Sequence, residues 1–520
     1  MHALPEILTR GERARLFPVL AETSKEGRTL SIVLACMENV DEFGKALIAD
    51  LGIKCGARSK LETYTEVVCK RGGDRTVRPD GLLVLKTGTK TWTALVEAKI
   101  GNAELTAEQI ESYIEVAKLN GVDAVITISN QFAPLPTHHP VTINVASLRN
   151  VALLHWSWMY ILTQAKLQIN NGEITDADQR SILIEMVRFL LHPSAGVKGF
   201  DQMPQAWTQL VGMIQTGGSV SSKLNEAQEV VGAWHQELQD LSFILSRQID
   251  KDIDLKIPRA HIKDPSARLK SDLQLLADER CLKATFVIPN AVAPLEVVAD
   301  LRTRSVFASM KLEAPGDRQS TKARLNWLLR QLQKSNTEGI HVRFFWPGRT
   351  PFTQHPLSIL REQPEIADIP GKVVATFEVL MARDLGSKFA QRKNFIIEFE
   401  RTVSDFYEQV GQHLKAWQAP PPKVKLDPDD ESASTAVSEV QVQSVAATDP
   451  SSDGETNIHM SVLVTVGRDD APALAGDQEC SDVVDQLASN NYGQEPREIE
   501  SSEETAIADN QWSYRNFDQE

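Results

Sequence analysis

The sequence predicts an α/β protein that begins with a mixed β-sheet flanked by helices. Residues 82–85 and 92–99 are short, mostly apolar runs separated by a polar turn at 86–91, which is typical of neighbouring strands. A helical pattern at residues 102–118 and a further apolar run at 121–129 follow. This order of strand, strand, helix and strand predicts a layered core.

Elements before this core are predicted from the same periodicities. Apolar residues recur at helical spacing in residues 27–52, and Gly52 marks the predicted end of one helix or two. Residues 61–70 are rich in β-branched side chains and predict the first core strand, which a tight turn at 71–75 follows.

Three further elements complete the expected first domain, residues 1–200. They are a strand at 140–146, a buried helix at 147–169 and an amphipathic helix at 175–191. Either Asp176 or Asp178 would cap the helix at 175–191.

A helical connector at residues 201–254 and an α+β domain at residues 255–419 are predicted next. The apolar stripe over residues 226–249 suits a packing helix or a coiled-coil homodimer, and two or three heptads are too few to decide. In the α+β domain we expect the aromatic residues in the core, while the arginines suit either nucleic acid or a solvated surface. The predicted elements there are strands at 283–289, 295–301, 304–312, 340–346 and 373–379, a helix at 319–335, and a strand leading into a helix at 395–417.

Acidic residues concentrate at the C-terminal end. The 520-residue chain has a formal charge of −15, yet residues 421–520 hold 22 acidic and 5 basic residues, so the rest is nearly neutral. This composition predicts a disordered acidic tail at residues 420–520. Such a tail either solubilises the protein or competes with DNA for a basic groove, and the sequence identifies no partner protein for it.

Cysteine usage and hydropathy predict a cytoplasmic protein. The five cysteines are scattered without a Cys-x-x-Cys pair, which argues against a disulfide framework or a cysteine zinc site. The first residues lack the layout of a signal peptide, and no apolar run reaches the length of a membrane span. We therefore expect no membrane contact.

Three polar side chains fall at the adjoining ends of the two central strands. Asp80 stands where the first begins, and Glu97 and Lys99 lie two residues apart at the end of the second, so they point to one face. Two neighbouring carboxylates favour a cation between them, and Mg²⁺ takes one or two carboxylates together with waters and phosphate oxygens. A lysine beside such a site can hold or help deprotonate a water aimed at phosphorus.

Pro79-Asp80, followed after a hairpin by Glu97-Ala98-Lys99, resembles the signature of the PD-(D/E)xK nuclease superfamily. Gln109 and Tyr113 share one face of the next predicted helix, and they are similar to the QxxxY element of the exonuclease-like branch. The resemblance covers roughly the first third of the chain.

The resemblance implies a restriction-endonuclease-like core and a Mg²⁺- or Mn²⁺-dependent DNA nuclease that hydrolyses phosphodiester bonds in defence or repair. It assigns metal binding to Asp80, Glu97 and the backbone carbonyl of Ala98, and it assigns water positioning or activation to Lys99. The glutamine and tyrosine of the QxxxY element would orient the site or the nucleic-acid backbone.

Other charged residues near the predicted site have two interpretations. Glu38, on the helix before the sheet, or Glu66, on the first core strand, would supply a further metal ligand, or each is a solvated glutamate. Four basic residues suit contacts with DNA phosphates, although a solvated turn would have the same composition. They are Lys70, Arg71, Arg75 and Arg78.

The alternative function is that of a non-cleaving nucleic-acid-binding or regulatory protein with a remnant nuclease fold. Residues 255–419 would then carry the function. A structural protein that binds partner proteins and makes no nucleic-acid contact is a third possibility. The sequence contains no G-x-x-x-x-G-K-[ST] loop, so it predicts no nucleotide-driven motor.

Overall fold

A computed structural model describes residues 4–16, 25–71 and 78–419, and the described residues belong to one compact unit. In this part of the chain the protein is α/β, with a six-stranded mixed sheet and a seven-stranded antiparallel sheet that are both flanked by helices. None of the described helices is both long and apolar enough to cross a membrane. The predicted acidic tail lies outside the described residues.

The first sheet has its strands in chain order, β1 to β6. Pairing is antiparallel from β1 to β4 and parallel from β4 to β6. The strands are β1 (Leu8–Arg13), β2 (Lys60–Cys69), β3 (Gly81–Thr87), β4 (Lys90–Ala98), β5 (Ala124–Ser129) and β6 (Ala152–Ser157). The helices of this part are α1 (Lys25–Asn39), α2 (Asp41–Asp50), α3 (Ala107–Asn120), α4 (Trp158–Asn170) and α5 (Ala177–Leu191).

Helices cover both faces of this sheet, and the alternation along β4 shows how. Ala94, Val96 and Ala98 pack with α1, α2, α4 and α5, whereas Leu95 packs with α3. Because side chains alternate along a strand, Glu97 lies on the α3 face. The end of β4 therefore presents a carboxylate beneath the first turns of α3.

The second sheet has the strand order β12-β11-β13-β10-β9-β8-β7, all antiparallel. Its strands are β7 (Asp254–Leu255), β8 (Cys281–Val287), β9 (Leu295–Asp300), β10 (Ser305–Glu313), β11 (Ile340–Phe345), β12 (Thr353–Pro356) and β13 (Thr376–Asp384). The helices around it are α6 (Gln205–Gln215), α7 (Asn225–Ile249), α8 (Arg259–Lys263), α9 (Pro265–Glu279), α10 (Thr321–Gln331), α11 (Leu357–Glu362) and α12 (Arg392–Gln409). Phe344 and Trp346 are buried in this core, as expected, while Phe345 is half-exposed.

Two predictions for the first sheet are wrong. The predicted helix at 147–169 divides into β6 and α4, because residues 152–157 pair in parallel with β5. A short buried apolar run fits either state, and here the free edge of β5 decides. The predicted strand at 140–146 is absent, since residues 141–144 belong to no strand and a 3₁₀ turn begins at residue 145.

Two helix boundaries also differ from the predictions. Helix α3 begins at Ala107, and not near residue 102, because the Thr106 side chain accepts a hydrogen bond from the Gln109 amide and caps the helix. Residues 395–417 contain no strand, because α12 extends from Arg392 to Gln409 and packs its phenylalanines into the core. The predicted cap of α5 is Asp176, whose side chain accepts from the Gln179 amide.

Candidate active site

Strand register brings Asp80 and Glu97 together. Gly81 at the start of β3 pairs with Val96 of β4, so Asp80 comes next to Glu97 on the neighbouring strand. The Ala98 backbone N–H donates to Asp80 Oδ2 over 2.9 Å, which fixes this carboxylate against the end of β4.

Glu97 is the most buried charged group of the site, with only 2% of its surface exposed. Its Oε1 accepts from Lys99 Nζ at 2.6 Å and from Gln109 Nε2 at 2.5 Å. Its Oε2 is buried and has no hydrogen-bond partner among the described residues. Burying a carboxylate oxygen without a partner costs free energy, so we expect a bound cation or a hydrogen-bond donor of a ligand to contact this atom.

Lys99 is held at both its backbone and its side chain. The backbone N–H donates to Ile128 of β5 at 2.8 Å, and the backbone carbonyl accepts from Trp158 Nε1 at 2.8 Å. Besides Glu97, the ammonium contacts Glu26 Oε1 at 3.3 Å and the Ala98 carbonyl at 3.2 Å. The lysine therefore lies between two carboxylates, next to the Ala98 carbonyl that the resemblance implies as a ligand.

Helix α3 places the glutamine and tyrosine of the sequence motif over the site. Gln109 Nε2 donates both to Glu97 and, over 3.4 Å, to the Tyr113 hydroxyl. The buried Tyr113 hydroxyl in turn donates to the Arg78 carbonyl over 3.4 Å, close to Asp80 in the chain. These contacts tie α3 to the strand ends that carry both carboxylates.

Burial and like charge raise the pKa of Asp80 from 3.8 to about 8, with the charge of Glu97 as the second cause. Burial also raises the pKa of Tyr113, and Glu97 adds to the effect. For Lys99, burial alone would lower the pKa, but the hydrogen bond and charge of Glu97 outweigh it and raise the pKa. The site therefore holds more negative charge than its own cation balances.

A divalent cation fits this donor set. Asp80 and Glu97 supply two carboxylates, the Glu97 Oε2 lone pairs are unused, and a cation would offset the charge repulsion that raises the pKa of Asp80. Within the described residues, no group of three or more His, Cys, Asp or Glu is placed to hold a metal alone. Mg²⁺ commonly takes only one or two carboxylates and keeps waters and phosphate oxygens.

Glu26 is a member of the site that the sequence interpretation missed. It lies in the first turn of α1, where its Oε1 contacts Lys99 Nζ and its Oε2 accepts from the Ile100 backbone N–H at 3.2 Å. The only signal in the sequence is an acidic residue in the first helical turn, which commonly stabilises the helix dipole without any further role.

The two glutamates predicted as additional ligands have different surroundings. Glu38 is engaged by the Arg13 guanidinium and by the Thr63 backbone N–H and hydroxyl, and none of its hydrogen bonds reaches Asp80 or Glu97. Glu66 is exposed and lines a small cavity together with Asp80. Glu66 is therefore near the candidate site, and Glu38 is used to hold α1 against β1 and β2.

The basic residues predicted to contact nucleic acid are exposed on the protein surface, as far as the structure describes them. Lys70, Arg71 and Arg78 are exposed, and Arg78 lines the cavity that contains Asp80. The Arg71 backbone N–H is anchored by Asn120 Oδ1 at 3.0 Å, at the end of α3. Arg75 lies outside the described residues.

A buried histidine network borders the site on β5 and β6. Thr127 pairs in register with Glu97 on one side and His155 on the other. Its hydroxyl lies 2.8 Å from both His155 Nδ1 and His139 Nε2, and His155 Nε2 lies 2.9 Å from the Gln131 carbonyl. Burial lowers the pKa of His155 to about 3 and that of His139 to about 4, so both rings are neutral near pH 7.

Comparisons with family models, with curated proteins and with solved structures find no match to the chain. The assignment of the site therefore depends on its own residues and geometry.

Proposed function

We propose that the protein is a metal-dependent nuclease that hydrolyses phosphodiester bonds of DNA. The observation that carries this proposal is the buried, unpartnered Glu97 Oε2 beside Asp80, with Lys99 bonded to the other oxygen of the same carboxylate. Two carboxylates and a lysine at adjoining strand ends suit phosphate-ester hydrolysis, because the carboxylates can bind a hard divalent cation that activates a water and the lysine can hold that water.

In this proposal Asp80 and Glu97 would hold Mg²⁺ or Mn²⁺, and the backbone carbonyl of Ala98 would be the further ligand that the resemblance implies. The metal, when bound, lowers the pKa of a water and offsets charge on the scissile phosphate. Lys99 holds the attacking water through its ammonium and is itself oriented by Glu97 and Glu26.

Gln109 and Tyr113 act as positioning residues in this scheme. Gln109 fixes the Glu97 carboxylate, and Tyr113 links Gln109 to the backbone just before Pro79-Asp80. These contacts support the positioning roles that the QxxxY resemblance implies. The strand order β2-β3-β4-β5, with α3 between β4 and β5, likewise supports a restriction-endonuclease-like core of the PD-(D/E)xK superfamily.

A cytoplasmic location is part of the proposal. The cysteines in the described residues are all free thiols, which suits a reducing compartment.

Cleavage of DNA by the purified protein tests the proposal. Linear duplex, closed circular and single-stranded DNA are incubated with Mg²⁺, Mn²⁺ or EDTA, and the products are separated on gels. We expect metal-dependent cleavage that falls by roughly 10²-fold or more in Asp80→Ala and Lys99→Ala. Lys90→Ala, an exposed lysine at the opposite end of β4, is the matched control.

Each outcome of that assay has a defined meaning. Cutting that survives both substitutions would assign the activity to another site or a contaminant. DNA binding that is equal in EDTA and Mg²⁺, with no new ends, would favour the non-cleaving binding protein. The circular substrate separates endonuclease from exonuclease action, since only an endonuclease opens it.

A further inference from the structure

A small cavity lies directly beside the candidate active site. It has a volume of about 60 Å³ and is lined by Arg10, Glu66, Arg78 and Asp80 together with neighbouring residues of β2. This is far smaller than the roughly 300–1,000 Å³ of a pocket for a drug-sized ligand. The cavity therefore suits one small group, and not a nucleobase with its sugar.

The backbone of β1 and β2 is irregular at residues that line the cavity. The register of β1 against β2 shifts on both sides of Arg10, and Glu66 has a positive φ of 53°, which is unusual for a residue other than glycine. The Glu66 backbone N–H donates to the Asp80 carbonyl at 3.2 Å, one residue beyond the last β2–β3 pair, Thr65–Gly81. Bulges re-aim side chains, and strained backbone is concentrated at functional sites.

The two arginines of the cavity have no partner among the described residues. Arg10 and Arg78 are both exposed, and neither guanidinium has a hydrogen bond or ion pair with another described residue. Arg13, on the same strand as Arg10, differs because its guanidinium contacts Glu38 and Glu62. Two guanidiniums at one small cavity that no described residue engages are typical of a phosphate site, since each offers several fixed donors.

Charge complementarity depends on the neighbouring metal site. Two guanidiniums and the carboxylates of Glu66 and Asp80 line the cavity. A divalent cation held by Asp80 would leave the cavity with a net positive charge. The cavity would then attract an anion next to the group being hydrolysed.

We propose that Arg10 and Arg78 form a subsite for a phosphate group of the nucleic acid that neighbours the scissile phosphate. This inference rests on the proposed nuclease function and adds a substrate-positioning residue, Arg10, to it. The phosphate is either an internal phosphodiester or a terminal 5′-phosphate, because both present the same oxygens. Backbone phosphates set the register of a nucleic acid on a protein without reading its sequence.

Equilibrium DNA binding of the full chain in Ca²⁺ and in EDTA, at several salt concentrations, tests the subsite. The variant is Arg10→Ala, and the control is Arg58→Ala, an exposed arginine before the opposite end of β2. The probes are one duplex with 5′-phosphate ends, the same duplex with 5′-hydroxyl ends, and a closed circle.

We expect Arg10→Ala to weaken binding about 3- to 10-fold and to reduce the slope of log K against log salt by about 0.9. Arg58→Ala should bind as the wild type does. A loss confined to the 5′-phosphate duplex assigns a terminal phosphate, and an equal loss on all probes assigns an internal one. Glu66→Gln removes a negative charge from the cavity, so it should bind more tightly than wild type.

Unchanged affinity and salt slope in Arg10→Ala on every probe, or no DNA binding by the wild type, would overturn the subsite. If Arg10→Ala destabilises the fold, the opposite change in Glu66→Gln still decides. The readout here is DNA binding, and cleavage is measured separately. If Arg10→Ala weakens DNA binding but the wild type shows no Mg²⁺-dependent cleavage, the nuclease function is rejected and the phosphate subsite is retained.

Discussion

Replacing Asp80 by asparagine should stabilise the metal-free protein at alkaline pH. Burial and then the charge of Glu97 raise the pKa of Asp80 from 3.8 to about 8. The folded state therefore holds this proton more tightly than the unfolded state, and stability falls as pH rises from about 4 to about 8. One pKa unit is about 1.4 kcal/mol, so the ionised carboxylate costs the metal-free fold at most about 6 kcal/mol.

The assay is urea unfolding in EDTA at pH 5 and at pH 8.5. At pH 5 the raised pKa of Asp80 already lowers the free energy of unfolding of the wild type by about 1–2 kcal/mol. The difference in free energy of unfolding between Asp80→Asn and wild type should therefore grow by at most about 4 kcal/mol from pH 5 to pH 8.5. Asp368→Asn, an exposed aspartate without a side-chain hydrogen bond to another described residue, is the control and should show no such growth. Mg²⁺ should stabilise the wild type and leave Asp80→Asn unchanged.

An Asp80→Asn variant that is less stable than wild type at both pH values in EDTA would refute this reasoning. It would mean that the carboxylate is satisfied by the protein alone. The case for a cation between Asp80 and Glu97 would then lose its electrostatic basis.

Three further predictions follow from other contacts. Glu26→Gln should lower the cleavage rate roughly 10- to 100-fold in single-turnover assays without unfolding the protein. The reason is that it weakens the charge-assisted contact between Glu26 and Lys99, and such a contact is worth about 1.5–3 kcal/mol. An unchanged rate would exclude Glu26 from the site. Gly121 ends α3 in the left-handed conformation with φ 66°, so Gly121→Ala should lower the free energy of unfolding by about 1 kcal/mol. Gly212 lies inside α6 with open space around it, so Gly212→Ala should raise the free energy of unfolding by about 0.5–1 kcal/mol. Equal effects of the two substitutions in urea unfolding would contradict this. Burial lowers the pKa of both His155 and His139, so their contribution to stability is fully present above pH 6.5 and should fall by about 1.4 kcal/mol per histidine per pH unit below it. The measurement uses the Asp80→Asn background, which lacks the opposite pH dependence of Asp80, and a flat profile there between pH 7 and pH 5 would show that these rings are not buried neutral.

The central part of the site could be predicted because its geometry is local in sequence. Asp80 and Glu97 come together through one hairpin, and Lys99 follows on the same strand. Gln109 and Tyr113 share a helix face through i, i+4 spacing, and α3 directly follows β4. Strand alternation and helical periodicity suffice for such contacts.

Residues that reach the site from distant segments were not predictable in this way. Glu26 contacts a lysine 73 positions later, and nothing in its own helix marks it out. Arg10 lies on β1, a polar edge strand with no hydrophobic alternation, so the strand itself was missed. The hydrogen-bond network of Thr127, His139 and His155 joins three segments of the chain. Its formation depends on β6, and the apolar run of β6 was wrongly predicted to be part of a helix.

Cleavage and metal binding by Glu97→Gln test the proposed function most directly. The glutamine keeps the size of the side chain and its contacts with Lys99 and Gln109 but loses the charge at the unpartnered Oε2. Glu115→Gln, an exposed position on α3, is the control. We predict that Glu97→Gln loses both calorimetric Mg²⁺ or Mn²⁺ binding and cleavage, by roughly 10²-fold or more, while the control keeps both. Metal-dependent cleavage at the wild-type rate in Glu97→Gln would contradict the proposed site.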